Sequence, residues 1–249
     1  MTTFKETQQS WRCPSGATWN LCDNLLEQTH LVIGGTTGSG KSTLLHSLMY
    51  SALIHSPARM QFVLIDLKGV ELKRYRNLPH TIRYADAPSD AISAINLVKD
   101  LMKSRLEKLK RTDEVIYNGN DIYLIIDEMA VLMQTTKAKI LEPLSEIMRL
   151  GRATKVHVIS ATQNPSRSSG GGLPSIVSQN CTASVCLRTR SAIESRQTVG
   201  ISGAENLPIH GEGLYWNPSG IERVAIPMTP DKDIKERVNY WLNAKPIRR

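Results

Sequence analysis

Short runs of aliphatic and β-branched residues alternate along this chain with longer stretches whose apolar positions recur every three or four residues. LVIG from Leu31, FVLID from Phe62, IYLIID from Ile122 and VHVISAT from Val156 each predict a buried strand. Between them the spacing predicts helices over residues 42–56 and 91–109. In the second, Ala91, Ile95, Val98, Met102 and Leu109 share one face with charges opposite, and Ser89 stands where an N-cap is expected. Strands alternating with helices imply an α/β class with a mostly parallel sheet covered on both faces. The chain then becomes more β-rich, with ASVCLRT from Ala183, GEGLYW from Gly211 and ERVAIPM from Glu222. These predict a more antiparallel C-terminal portion, closed by a helix over residues 231–243. There is no internal repeat, and SRSSGGG (166–172) is the one low-complexity stretch.

Composition narrows the class. A chain of 249 residues, 41% of them hydrophobic, can bury one sizeable globular core and need not be divided into two. No stretch approaches the roughly 18 consecutive apolar residues of a membrane span, and MTTFKETQQSWR lacks the apolar centre of a signal peptide, so a cytoplasmic chain without membrane insertion is expected. Cys13, Cys22, Cys181 and Cys186 form no CxxC pair and no zinc-finger spacing, which predicts reduced, structural thiols. The net charge of +8 favours a polyanionic partner.

The chemistry concentrates where the first strand meets the first helix. GTTGSGKS fits GxxxxGK[ST], the phosphate-cradling P-loop, and runs from Gly35 through Thr36, Thr37, Gly38, Ser39, Gly40 and Lys41 to Ser42, with Thr43 following. Backbone N–H groups and a helix N-terminus suit a triphosphate such as ATP; Lys41 would neutralise β- and γ-phosphate charge and Ser42 would ligate Mg2+. IYLIIDE supplies the second half of such a site: Asp127 would hold Mg2+ through water, and Glu128 would orient and deprotonate an attacking water. VHVISATQ ends in Gln163, a polar group suited to sensing the γ-phosphate.

Taken in order, several segments resemble the FtsK/SpoIIIE family of DNA-translocating motors within the wider FtsK-HerA ATPases. They are THLVIGGTTGSGKST (29–43), FVLIDLKGVEL (62–72), NLPH (77–80), YLIIDE (123–128), GRATKVHVISATQNPS (151–166) and SAIESRQTVGISGAENL (191–207). One departure is Leu67, where the family usually has proline. The resemblance implies a RecA-like P-loop core over residues 29–249 after a lead-in at 1–28. It also implies assembly as a homo-hexamer, ATP held between neighbouring subunits, and double-stranded DNA drawn through the central channel. A ring of this kind needs a cation supplied in trans; by matching position Arg152 is the first candidate for this arginine finger and Arg196 the second.

In similar motors the segment after the ATQ motif lines the channel. Here Arg167, Ser168, Ser169, Gly170 and Gln179 are the candidates for contacting DNA phosphates without reading bases. Family members often carry lysine near Gln179, so this grip is expected to be weaker or shared; the basic tail KPIRR is a further candidate. The membrane spans and winged-helix domain of large members do not fit in this chain. It therefore reads as a bare motor, of a mobile element, plasmid or virus or as a portion of a longer protein, recruited by a membrane or accessory protein and serving DNA transfer or segregation. Other readings are a type VII secretion-like protein translocase, a viral genome-packaging ATPase, or a slow ATP-binding assembly module. Basic charge favours DNA over protein cargo, and the intact Lys41, Asp127 and Glu128 count against the last.

Overall fold

Strands that are apolar on both faces must lie inside a sheet, and the chain places them there. A computed structural model describes residues 11–12, 18–19, 21–163, 165 and 172–244. A two-residue pair, β1 (Trp11–Arg12) with β2 (Thr18–Trp19), precedes α1 (Leu21–Glu27), β3 (His30–Gly34), α2 (Lys41–Ala52), β4 (Met60–Ile65) and β5 (Thr81–Ala85). Then come α3 (Pro88–Leu109), β6 (Asp121–Ile126), α4 (Met129–Thr136), α5 (Leu141–Thr154) and β7 (Val156–Thr162). The remainder is α6 (Ser175–Asn180), β8 (Ala183–Cys186), α7 (Ala192–Val199), β9 (Glu212–Asn217), β10 (Gly220–Ala225) and α8 (Asp231–Asn243).

Eight strands form one sheet in the order β10-β9-β8-β3-β7-β6-β4-β5, parallel from β8 to β5 and antiparallel across β9 and β10. The mixed α/β expectation holds. β8 differs in detail: although it falls in the part read as antiparallel, it pairs parallel with β3, because Ala183, Ser184, Val185 and Cys186 are all buried and suit an inner position. Adjacent residues of β3 serve opposite faces, as a period of two requires. Ile33 packs with Leu44, Leu48, Phe62 and Tyr123, whereas Val32 packs with Val98, Leu124, Ile147 and Val158. α1, in the segment read as a lead-in, contributes Leu21, Leu25 and Leu26 to the first of these clusters. Among the described cysteines, Cys22, Cys181 and Cys186 are free and buried, and burial pushes the Cys22 and Cys186 thiols up to about 12.

Helix bounds shift for identifiable reasons. α3 starts before Ser89, with Ala87 as an extended N-cap and Pro88 in the first turn, where a missing N–H costs nothing. α2 stops at Ala52, short of Ser56. β5 escaped the periodicity reading because Ile82 and Arg83 are exposed on an edge strand with no alternation.

The end of α5 determines how that helix feeds β7. Lys155 takes a left-handed conformation, φ 53°, as its C-cap. The buried Arg105 guanidinium donates to the Thr154 and Lys155 carbonyls at 2.9 and 3.1 Å, which satisfies groups a helix end leaves open. On the inner side His30 bridges two elements. Its Nδ1 accepts from the Val158 N–H at 3.1 Å, which requires the hydrogen on Nε2, 3.0 Å from the Met148 carbonyl. Burial first, and then the neighbouring His157, hold this imidazole down at about 4.

Two outcomes follow from this corner. Alanine normally favours a helix over glycine by about 1 kcal/mol. At Gly151, however, an added methyl would strike the Val156 carbonyl oxygen and lie 2.8 Å from His30 Cε1. Overpacking of this kind costs about 1–3 kcal/mol, so Gly151→Ala should lower the thermal midpoint, and a raised midpoint would refute the close-approach account. The second concerns acid. His30 titrates near 6.5 when unfolded and near 4 when folded. Its contribution is therefore complete above pH 6.5 and is lost as pH falls toward 4, a loss of about 2–3 kcal/mol. His46, His55 and His80 are also held below the ordinary value by burial. Urea titrations between pH 7.5 and 4.5 should accordingly show a flatter pH dependence in His30→Gln than in the wild type.

Candidate functional site

A parallel sheet gathers the C-terminal ends of its strands at one edge, so residues distant in sequence converge there. β3 ends in the glycine-rich loop, β4 in Asp66, β6 in Asp127 and Glu128, and β7 in Gln163. The loop needs its glycines for two separate reasons. Gly35, Gly38 and Gly40 take φ values of 156°, 78° and 100°, which side chains disfavour. Gly34 and Gly35 also lack room: a methyl on Gly34 would lie 2.7 Å from the Thr198 side chain, and one on Gly35 2.6 Å from Ser39 Oγ.

The loop is held from β8 and from β7. Leu187 N–H donates to the Gly34 carbonyl at 2.8 Å, and Thr36 donates its N–H and hydroxyl to the Arg188 carbonyl at 2.9 and 3.2 Å. Thr37 donates to Gln163 Oε1 at 2.8 Å. Gly40 is the N-cap of α2, and with no side chain capping it the first N–H groups of the helix remain open to an anion.

The charged groups fit a phosphate and a cation. Lys41 is buried and donates from Nζ to the Gly35 and Thr36 carbonyls at 2.7 and 3.1 Å, contacts that a phosphate could replace. Burial lowers its ammonium to about 8, opposed by Glu128 and Asp127. The Asp127 carboxyl is raised to about 6 by burial and then by the negative charge of Asp66 and Glu71. Four carboxylates, Asp66, Glu71, Asp127 and Glu128, thus share an edge with Lys41 and Lys68. Ser39 Oγ is buried with no hydrogen-bond partner among the described residues. Ser42 and Asp127 would bring just two side chains to a metal, a donor set that suits an ion completed by phosphate and water rather than a protein-enclosed one; no cluster of three metal-ligating side chains occurs among the described residues.

Glu128 is fixed more firmly than its neighbour. Both carboxylate oxygens accept from the Gln163 N–H, at 3.0 and 3.1 Å, and Lys68 Nζ lies 3.9 Å away. Lys41, Asp127, Glu128, Gln163 and the loop are therefore brought together. Arg152 is not: it is exposed in the last turn of α5, beside the N-terminal end of β7 and across the sheet from the glycine-rich loop. Arg196 is exposed on α7, the helix whose Thr198 abuts Gly34. Gln179 is exposed on α6, while Arg167, Ser168, Ser169 and Gly170 lie outside the described residues, as do Cys13 and the KPIRR tail. Sequence reasoning gave no role to Asp66, Lys68 or Glu71; the cluster of charge directly after a buried strand end in DLKGVEL was the available signal.

Fold and site together define a P-loop ATPase. Residues 18–116 match the model of the FtsK/SpoIIIE family. Over a longer span, the chain is 31% identical to the DNA translocase FtsK of Leptospira interrogans over 230 residues, covering 84% of this chain and 24% of that protein. It is 32% identical to the DNA translocase FtsK of Helicobacter pylori over 241 residues, covering 90% of this chain and 28% of that one. The chain thus spans about a quarter of the length of these relatives. Among solved structures, the pCW3 conjugation coupling protein TcpA, in a monomer form with ATPgS, superposes with a TM-score of 0.75 at 21% identity, covering 86% of this chain and 65% of that one. The cytoplasmic domain of the Thermomonospora curvata type VII secretion ATPase EccC superposes at 0.72 with 24% identity, covering 88% and 28%. These two likenesses concern the fold. No helix among the described residues is long and apolar enough to cross a membrane.

Proposed function

We propose that this chain is one RecA-like motor unit that hydrolyses ATP to move double-stranded DNA. The observation that carries the reading is the alignment with proteins named DNA translocase over 84% and 90% of the chain, with the P-loop and the Asp127–Glu128 pair intact. The net charge of +8 supports a polyanionic track.

In this reading the N–H groups from Gly35 to Thr43 and the open N-terminus of α2 receive the phosphates. Lys41 exchanges its two carbonyl contacts for phosphate oxygens. Ser42 and Asp127 would hold Mg2+, which supplies neutralising charge when bound. Glu128 orients and deprotonates water, kept in place by the Gln163 N–H, while the Gln163 side chain, tied to Thr37, is placed to respond to the γ-phosphate. Arg152 serves a neighbouring subunit in a ring, a role supported by its position: seven residues of β7, about 20 Å, separate the two ends of that strand, too far for the side chain to reach its own loop. Arg196 is the second candidate for that role. Arg167, Ser168, Ser169, Gly170 and Gln179 are the proposed contacts to the DNA backbone.

ATP hydrolysis should rise on adding long duplex DNA and lose that stimulation as salt increases from about 50 to 200 mM. Absence of stimulation at every salt concentration would remove DNA translocation. Lys41→Ala should abolish nucleotide binding, whereas Glu128→Gln should bind ATP and lose about 10²–10⁴-fold in turnover; wild-type turnover in the latter would sink the base assignment.

The trans assignment has its own test. Mixed assemblies of Arg152→Ala and Glu128→Gln subunits should recover activity that neither variant has alone, because some interfaces then combine an intact glutamate with an intact arginine. No recovery in heteromers shown by sedimentation to assemble would count against it.

A further inference from the structure

The turn that follows β4 carries a carboxylate to the P-loop that the function above does not use. Asp66, fully buried, fixes this turn by accepting from the Gly69 and Leu72 N–H groups at 2.9 Å each, and Gly69 takes a left-handed φ of 65°. The result aims Glu71 at the first two turns of α2. Glu71 Oε1 accepts the Ser42 hydroxyl at 2.8 Å, and Oε2 lies 3.3 Å from His46 Nε2, one helical turn further along the same face. His46 Nδ1 in turn meets the hydroxyl of the fully buried Tyr75 at 2.9 Å. With that hydroxyl donating to Nδ1, Nε2 carries the hydrogen toward Glu71. Both carboxylate oxygens are thus engaged by α2, and the Ser42 hydroxyl finds its acceptor in Glu71.

The geometry points to Glu71 as the positioning residue that prepares Ser42 for a divalent cation. A serine hydroxyl has one hydrogen and two lone pairs. Committing the hydrogen to Glu71 leaves the lone pairs for a cation and stops the hydroxyl from rotating to donate to a phosphate oxygen instead. A carboxylate behind a neutral ligand also makes the ligating oxygen more basic, and losing such a partner typically costs about 10–100-fold in metal affinity. His46 and Tyr75 keep the carboxylate in place whether or not Ser42 is ligating.

The inference rests on reading the site as one for ATP with Mg2+, and its test separates the two. Binding of a fluorescent ATP analogue is followed against MgCl2 and, separately, in EDTA. In Glu71→Ala the Mg2+ midpoint should rise by about 10–100-fold, with affinity in EDTA unchanged. Glu71→Gln, which keeps an acceptor oxygen without the charge, should fall between, and it remains readable should the alanine variant fail to fold. On a Ser42→Ala background, Glu71→Ala should add no further shift, since its effect passes through that hydroxyl. An unshifted or lowered midpoint, or equal loss with and without Mg2+, overturns the role of Glu71 while leaving the nucleotide site standing. If the wild type binds the analogue with no dependence on Mg2+, the reading of the site fails and the inference with it.

Discussion

The phosphate edge of this molecule depends on how closely the backbone at Gly34 and Gly35 approaches α7 and β8. With no side chain at either position, the Thr198 side chain and Leu187 come within contact of the main chain, and the carbonyls of Gly34 and Arg188 become partners in hydrogen bonds that tie the loop to the segment directly after β8. A loop anchored in this way needs little reordering to receive an anion, so less of the binding free energy is lost to entropy. The same anchoring explains why β8 belongs to the parallel core despite its neighbours in sequence: the P-loop needs a buried strand on its far side, and an exposed antiparallel ribbon would not hold it.

Against that fixed backbone the side chains are electrostatically unbalanced. Asp66 spends its charge on two N–H groups of its own turn, and Glu128 on the Gln163 N–H, with Lys68 nearby. Asp127 has no comparable compensation, which is why burial and its acidic neighbours raise it to about 6. Lys68 offsets this only in part, and holding a half-buried carboxylate beside like charges is costly unless further positive charge arrives. The turn after β4 sets much of this field, since it delivers Lys68 toward Glu128 and Glu71 toward Ser42 from a single backbone conformation.

What could be read in the chain follows from which features are local. The inner strands and α2 were legible because burial on both faces and strand-to-helix glycines are written in consecutive residues. Lys41, Ser42, Asp127 and Glu128 were legible because strand ends in a parallel sheet converge by topology. Glu71 was not, since its reach to Ser42 depends on a turn closed by Asp66 and on the left-handed Gly69. His30 and Gly151 were equally opaque, their constraint being a contact between the start of β3 and the end of α5. β5 lacked any signal, an exposed edge strand having no reason to alternate.

Charge bookkeeping also bears on why a neighbour should matter. Lys41 is engaged with two carbonyls and Lys68 lies against Glu128, so an incoming triphosphate would add several negative charges to an edge that already holds four carboxylates. In the proposed function a metal ion and Lys41 would answer for the ground state. Charge that develops at the γ-phosphate during transfer calls for a further cation placed where it forms. Arg152 is at the far end of β7, fixed there by a helix terminus that Arg105 caps and that Gly151 lets close onto His30. An arginine at the opposite edge of its own sheet is too far from its own loop to act there, which is the physical reason the proposed role for Arg152 requires a nucleotide bound by an adjoining subunit.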